Sequence, residues 1–154
     1  MPDPSGRQEL DEVVDGLLDV TRRTHEVLAA VAARHDLTVQ QVGLLRVLDQ
    51  PVSMRAFAEE LSCDPSNVTG LVDRVERLGL VDRIPDPDDR RIRMLTLTTK
   101  GRRLRQKING EVARDLASAL GIEAEDHARL LRLLAGLTPT ASATPTSPQG
   151  RVAR

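Results

Sequence analysis

Apolar residues recur at helical spacing along most of the chain, which predicts a mainly α-helical protein. Residues 9–33 follow the i, i+3, i+4, i+7 rule of an amphipathic helix of about six turns. The apolar positions of this stripe are Leu10, Val13, Val14, Leu17, Leu18, Val27, Leu28 and Val31. A second helix is predicted over residues 39–49, where Thr38 would cap the first turn. Its inward positions would be Val42, Leu44, Leu45, Val47 and Leu48.

Two further helical patterns follow, separated by only a few residues. Ser53 is a suitable cap for the first, a short helix with Phe57, Ala58 and Leu61 facing inward. The pattern breaks at residues 62–63 and restarts at residues 64–65, an aspartate cap followed by proline at the first helical position. Two helices joined by so short a link must cross steeply, so residues 53–78 are predicted to form a helix-turn-helix.

The second of these helices has one apolar and one polar face. Its apolar stripe is Val68, Leu71, Val72, Val75 and Leu78. Its polar face carries Ser66, Asn67, Thr69, Gly70, Asp73, Arg74 and Arg77. Gly79 predicts the end of the helix. The polar face is therefore predicted to remain outside the core.

Two strand-like runs, residues 80–84 and 92–98, come next and are joined by a charged loop with two prolines. This arrangement predicts a β-wing. Thr99 would then cap a long helix whose inward positions recur every four residues, and Gly121 would interrupt it. These inward positions are Leu104, Ile108, Val112, Leu116 and Leu120. A leucine-rich helix over residues 123–137 completes the pattern.

The predicted fold is thus mainly α with a small β-wing: a winged helix-turn-helix with a helical dimerisation region. The first helix and the last two carry more apolar surface than a domain of this size needs, so they are assigned to a homodimer interface. The predicted divisions are residues 1–36 and 100–137 for dimerisation and residues 37–99 for DNA binding. Residues 138–154, rich in Thr, Ser and Pro, are predicted to be a disordered tail.

Charge is unevenly distributed, although the net charge of the 154 residues is only −1. Residues 1–20 hold six acids against one base, whereas residues 83–107 hold nine bases against three acids. A basic face opposite an acidic one suits phosphate contact, although charge runs are also typical of any solvated surface. Phe57 is the only aromatic residue, which argues against a single-strand binder that stacks bases. The absence of a signal peptide or a long apolar run predicts a cytoplasmic protein that does not enter the membrane.

The polar face of the second helix is suited to duplex DNA, because short polar side chains can reach base edges and a cation can reach phosphates. Ser66, Asn67, Thr69 and Arg74 are the candidates, and Gly70 leaves room for close approach. The plainer alternative is that Ser, Asn and Thr are common at any helix start as caps.

The wing tip presents a second candidate group. Arg90 and Arg91 follow Asp88 and Asp89 on a stiff loop, and arginines presented this way can enter a narrow minor groove. The alternative is a mutual salt-bridge network of little energetic value. The prediction combines the two: Asp89 positions Arg91, and Arg91 contacts DNA.

The helix DPSNVTGLVDRVERLGLV, the DPDDRR wing and the following LTLTTKG together resemble the MarR (multiple antibiotic resistance regulator) family of winged helix-turn-helix regulators over residues 9–137. The resemblance implies a homodimer on a palindromic operator and often a small aromatic or phenolic effector between the dimerisation and DNA-binding parts. By position it implies DNA contacts from Ser66, Asn67, Thr69, Arg74, Asp89, Arg90 and Arg91. Some family members sense peroxide through a cysteine in the first helix, which has none here.

Other chemistry has weak support in the sequence. Cys63, the one cysteine, is expected to pack in the turn before the polar helix. His25, His35 and His127 are scattered, so no metal site is predicted, although His25 and His35 could touch an effector. The wing acids lack the glycine and glutamate of a calcium loop. No nucleophile and base pair, phosphate loop or ligand cluster indicates an enzyme or a cofactor.

The predicted function is a sequence-specific DNA-binding transcriptional regulator, a repressor released by a small effector whose binding residues the sequence does not identify. The alternative is a winged helix used for protein interaction or for architectural DNA binding without sequence preference.

Overall fold

A computed structural model describes residues 4–60 and 65–137, and the side chains within residues 6–59 and 68–137. The elements in chain order are α1 (Pro4–Arg34), α2 (Val39–Val47), β1 (Val52–Ser53), α3 (Met54–Glu60), α4 (Pro65–Arg77), β2 (Val81–Pro85), β3 (Arg93–Leu97), α5 (Thr99–Leu120) and α6 (His127–Leu137). The predicted fold class is confirmed: the chain is mainly helical with a small antiparallel sheet. None of the described helices is long and apolar enough to span a membrane.

The chain forms two compact units, Met1–Leu120 and Gly121–Arg154. The first holds the core and the sheet. The second begins at Gly121, whose positive φ of 64° ends α5 as predicted. Its described part contains a 3₁₀ turn, Ala124–Asp126, followed by α6. The predicted last helix therefore begins later than residue 123, because its first turn adopts the tighter 3₁₀ geometry that is frequent at helix starts.

The helix boundaries follow from local capping. The Thr38 side chain accepts from the Gln41 amide and the Gln41 side chain accepts from the Thr38 amide, which confirms the predicted cap of α2. Ser53 Oγ accepts from the Ala56 amide at the start of α3, also as predicted. The cap of α5 is one residue earlier than predicted: Thr98, not Thr99, accepts from the Gly101 amide through its side chain.

The sheet has three strands rather than the two predicted. β3 lies in the middle and pairs antiparallel with β2 and with β1, which has only two residues. Val52 lies opposite Leu95, and Ser53 lies opposite Met94. A two-residue strand is too short to show the alternation that identifies strands in a sequence, so tertiary contact alone reveals it.

The hydrophobic core joins α1, α2, α3, α4, α5 and the sheet. Its fully buried large side chains are Phe57, Leu44, Leu45, Leu48, Leu80, Leu95, Ile108, Val31, Val42, Val68, Val72 and Val75. The predicted apolar stripe of α4 is therefore largely inward. Leu78 is the exception, because it lies past the end of the helix and is 42% exposed. The predicted inward Leu61 lies outside the described residues.

The first half of α1 is an apolar stripe without cover from any other described element of its unit. Its exposed large side chains are Leu10, Val13, Val14, Leu17, Leu18 and Val20, each between 44% and 62% exposed. In the second unit, Leu131, Leu133, Leu134 and Leu137 of α6 are also exposed. The second half of α1 behaves differently, since Val31 and Ala32 are buried against the core.

A charged network joins the end of α1 to the middle of α5. Arg34 pairs with Glu111 at 3.0 Å and with Asp115 at 2.5 Å. His35 Nε2 lies 3.2 Å from the second oxygen of Glu111. The Arg34 hydrogen bond lowers the pKa of Asp115 against the effect of burial. Burial raises the pKa of Glu111, but the hydrogen bonds from Arg34 and His35 together outweigh it and leave that pKa lowered.

This network predicts an acid-sensitive junction. A carboxylate with a folded pKa below its unfolded value adds stability above the unfolded pKa, and that stability is lost as the pH falls through the folded pKa. We therefore expect the thermal unfolding temperature to decrease as the pH is lowered from about 5 to about 3, a decrease that we call the acid limb. Arg34→Gln should make the acid limb less steep and should lower the unfolding temperature at pH 7. Thermal melts followed by circular dichroism at several pH values test this.

The control is Arg55→Gln, because Arg55 is 89% exposed in its pair with Glu59 and such pairs contribute little. It should leave both the midpoint and the acid limb unchanged. An acid limb of equal steepness in Arg34→Gln and the unsubstituted protein would show that this network does not govern the pH response.

Candidate nucleic-acid interface

The outer face of α4 is exposed where the sequence predicts DNA contact. Thr69, Gly70 and Arg74 are exposed, while Val68 and Val72 beside them are buried. A Cβ built on Gly70 would meet nothing within 4 Å, so packing within the described protein does not require glycine there. Ser66 and Asn67 lie in the first turn of α4, and their side chains are outside the described set.

The wing loop between β2 and β3 is held by its own aspartates. Asp86 Oδ1 accepts from the amides of Asp88, at 2.8 Å, and Asp89, at 3.2 Å. The Asp86 amide donates to the Ile92 carbonyl at 3.0 Å, and the Ile92 amide donates to the Asp89 carbonyl at 2.9 Å. Asp side chains that bond to amides two or three residues ahead stabilise turns, so the loop has a defined shape.

Asp89 positions Arg91 through the backbone. The Asp89 Oδ1 atom accepts a hydrogen bond from the Arg91 amide at 3.0 Å. The sequence predicted that Asp89 positions Arg91 but not which atoms make the contact. Arg90 and Arg91 are both exposed. Within the part of the chain that the structure describes, neither guanidinium forms an ion pair with a carboxylate, so the salt-bridge alternative for the wing tip has no support there.

Arg83 has a different role from the other bases of residues 83–107. From β2 its guanidinium reaches back to α4, where it pairs with Asp73 and, at 2.8 Å, with Glu76. Its side chain is only 27% exposed. Arg83 therefore joins the wing to α4 and neutralises two acids on that helix. No pattern along the chain predicts this contact, because it joins residues of two separate elements.

Replacing Arg83 tests this link. We expect Arg83→Met to destabilise the fold by about 1 kcal/mol, because two charge-assisted hydrogen bonds in a partly exposed site are lost. Denaturant unfolding at pH 7 measures the difference. The triple variant with Asp73→Asn and Glu76→Gln should recover part of the loss, since the unpaired charges are removed as well.

Arg93→Met is the matched control, because Arg93 is an exposed arginine on the adjacent strand without a described side-chain partner. It should shift stability by less than about 0.5 kcal/mol. Equal losses in the Arg83 and Arg93 variants would mean that the ion pairs with α4 do not stabilise the wing.

Three further bases of the basic run are occupied by the protein itself. Arg102 donates to the Leu97 carbonyl at 2.6 Å, and Arg105 donates to the Leu48 carbonyl at 2.7 Å and pairs with Asp49 at 2.5 Å. Lys100 Nζ donates to the Leu78 carbonyl at 2.8 Å. Part of the basic run of residues 83–107 therefore bonds to carbonyl and carboxylate oxygens of the protein itself.

A cleft of about 340 Å³ lies where α5 meets the end of β3 and the loop after α2. Its walls include Leu48, Thr96, Leu97, Arg102, Arg105 and Asn109. The Asn109 Oδ1 atom is buried and has no hydrogen-bond partner among the described residues. The cleft thus combines apolar walls with guanidinium groups and an unsatisfied acceptor, which suits a small organic ligand with a polar end.

The histidines and the cysteine do not form a second site in the described residues. His35 lies against Glu111, and no group of three or more His, Cys, Asp or Glu side chains suited to a metal is found in that part of the chain. Cys63 and its predicted packing role fall outside the described residues, as does the predicted disordered tail of residues 138–154.

Comparisons with known proteins agree with this geometry. A model described as MarR family matches residues 35–92. The transcriptional activatory protein BadR of Rhodopseudomonas palustris is 36% identical over 83 residues, which cover 51% of this chain and 47% of BadR. The chain therefore spans about half the length of that relative. The HTH-type transcriptional regulator YhbI of Bacillus subtilis is 29% identical over 128 residues, which cover 82% of this chain and 83% of YhbI.

A solved structure extends the likeness across the fold. The chain is similar to CouR from Rhodococcus jostii RHA1, bound to p-coumaroyl-CoA, with a TM-score of 0.70 and 27% identity. The match covers 84% of this chain and 94% of CouR. BadR and YhbI are both described as transcriptional regulators rather than enzymes, which agrees with the prediction that the chain is not an enzyme.

Proposed function

We propose that the chain is a transcriptional regulator of the MarR family, whose model matches residues 35–92, and that it binds a palindromic duplex operator as a homodimer and acts as a repressor. Each α4 would enter a major groove, and each wing would reach the adjacent minor groove. Two recognition helices in one face of a duplex lie about one helical turn apart, ~34 Å.

The observation that carries this proposal is the exposed cationic wing beside a polar helix. Arg90 and Arg91 are exposed on a loop fixed by Asp86 and Asp89, and they have no ion-pair partner among the described residues. Guanidinium groups held in this way are available to phosphates and to the minor groove. The proposed contact set is Ser66, Asn67, Thr69, Gly70, Arg74, Asp89, Arg90 and Arg91.

The exposed apolar stripe of α1 supports the proposal of a homodimer. Leu10 and Leu18 are each 62% exposed, and a contiguous stripe of this kind is typical of an interface. A second copy of the chain is its proposed occupant, with residues 1–36 and 100–137 as the dimerisation region. A two-fold dimer also matches the symmetry of a palindrome.

A small effector is proposed for the cleft beside Arg102 and Arg105. CouR holds p-coumaroyl-CoA, an acyl thioester with an aromatic group and several phosphates, and by analogy a small aromatic acid or its thioester is proposed here. The Leu48 and Leu97 walls would contact the apolar part, and the anionic part would replace Asp49, which also lines the cleft, as the partner of Arg105. Binding there would alter the junction between α5 and the winged helix, which would release the DNA.

The proposal is tested by selecting duplexes from a random-sequence library with the full chain and comparing the selected site with random DNA in gel shifts. A repressor of this kind should bind the selected site about 10³-fold more tightly at one salt concentration, and sedimentation should show a dimer. A ratio near one would favour the alternative, a winged helix for protein interaction or architectural DNA binding.

Two further measurements separate the finer parts of the proposal. A reporter gene carrying the selected site distinguishes repression from activation, which matters because BadR is an activatory protein. A thermal-shift screen of small aromatic acids, followed by release of the selected duplex, tests the effector. Stabilisation without release would mean that the cleft binds ligands but does not regulate DNA binding.

A further inference from the structure

The carboxyl end of α4 is held by the amino end of α5. The three carbonyls that follow α4 belong to Leu78, Gly79 and Leu80, and each accepts a hydrogen bond from residues 98–100. Lys100 Nζ donates to Leu78 at 2.8 Å, Thr98 Oγ1 donates to Gly79 at 2.8 Å, and the Thr98 amide donates to Leu80 at 3.1 Å. We name these three hydrogen bonds the α4–α5 brace.

The helix end itself does not need the brace. Gly79, with φ of 68°, ends α4 in a Schellman turn. The Leu80 amide donates to the Val75 carbonyl at 3.2 Å, and the Gly79 amide donates to the Glu76 carbonyl at 2.8 Å. The turn thus satisfies the Val75 and Glu76 carbonyls without help from α5, so we infer that the brace fixes where α4 lies relative to α5 rather than whether α4 forms.

The two elements are also in close backbone contact. A Cβ built on Gly101 would lie 2.0 Å from the Leu80 carbonyl oxygen. No side chain separates the backbones of Gly101 and Leu80 at this point. A small rotation of α5 would therefore move the segment at the end of α4 directly. In the proposed dimer, α5 belongs to the region that sets the distance between the two copies of α4.

We propose that Lys100 is a positioning residue for DNA recognition: through the α4–α5 brace it holds the recognition helix at the angle that the half-site spacing requires, and it does not contact DNA. This inference rests on the proposed function. It assigns Lys100 a role other than the phosphate contact that the basic run of residues 83–107 suggests for this face.

Lys100→Met separates the two roles, because methionine keeps much of the apolar stem and loses the Nζ donor. We expect it to bind the duplex selected by the unsubstituted chain three- to tenfold more weakly. The slope of log affinity against log salt should be unchanged, because no phosphate contact is lost. The penalty for moving the half-sites apart by one base pair should shrink, because α4 is less tightly oriented.

Two variants serve as controls. Lys100→Arg keeps a donor for the Leu78 carbonyl and should restore affinity to within twofold. Lys107→Met makes the same chemical change on α5 at an exposed lysine without a described partner, and it should leave affinity and spacing preference unchanged. Sedimentation and thermal melts should give the same dimer and an unfolding midpoint within about 2 °C for all of them.

Several results would overturn the inference. A salt slope lowered by about 2 in the Lys100→Met dimer would show that Lys100 contacts a phosphate in each half-site. Unchanged affinity, failure of Lys100→Arg to recover it, an unchanged spacing penalty, or a midpoint lowered by more than about 5 °C would remove the positioning role. If the unsubstituted chain selects no duplex, both the inference and the proposed function fail, whereas specific binding with an unaffected Lys100 variant overturns the inference alone.

Discussion

Arg91→Ala should weaken binding to the selected operator by about 10- to 100-fold, because one wing guanidinium is lost from each half of the dimer. Arg91 is exposed on a loop whose shape is fixed by Asp86 and Asp89, so little of its contact energy is spent on ordering the loop. If both guanidinium groups contact phosphates, the salt slope of the dimer should fall by about 2. Fluorescence anisotropy titrations at several salt concentrations measure both quantities.

The wing variant must be compared with a loss of charge elsewhere. Arg129→Ala removes one exposed arginine of α6 without a described partner and changes the net charge by the same amount. It should leave affinity and salt slope unchanged, and both variants should remain dimers. Equal affinity and an unchanged slope for Arg91→Ala would remove the wing from DNA binding, and equal losses for both would indicate a general charge effect.

Gly101→Ala should destabilise the fold by about 3 kcal/mol, near the upper part of the range for overpacked sites. The added Cβ would lie 2.0 Å from the Leu80 carbonyl oxygen, and both sides of this contact are backbone. Backbone cannot change rotamer to relieve the clash, so α5 must move away from Leu80 and weaken the α4–α5 brace. Denaturant unfolding of the full chain measures the loss.

Gly110→Ala is a control in the same helix. A Cβ at Gly110 would meet nothing within 4 Å, so alanine should instead stabilise α5 by about 0.5–1 kcal/mol through its higher helix propensity. Opposite signs for two identical substitutions would establish the close contact at Gly101. A loss below about 1 kcal/mol for Gly101→Ala would show that α5 and Leu80 separate easily.

The sequence predicted the local elements well because their signals are local. The spacing of apolar residues located the helices, Thr38 and Gly79 marked helix ends, and the charged loop between two strand-like runs predicted the wing. The same rules placed the cap of α5 one residue late, because Thr98 and Thr99 are adjacent threonines and either can fill that position by sequence alone.

The site could be predicted only in part. An exposed Thr69, Gly70 and Arg74 follow from the two faces of α4, since helical periodicity fixes which residues point away from the core. The roles of the basic residues do not follow from any periodicity. Arg83 pairs with acids of α4, and Arg105 pairs with Asp49, which is 56 residues away in the chain.

By itself the sequence determined the order of the elements, the polar face of α4 and the charged wing, because these depend on the spacing of residue types over short stretches. Only the tertiary structure decided that β1 exists and that Gly101 must lack a side chain. It also decided that the Arg83, Lys100 and Arg105 side chains bond to other elements of the chain. Such facts depend on which atoms of separate segments meet in the folded chain. A hydrogen bond or a close contact between separate elements leaves no periodic trace along the chain.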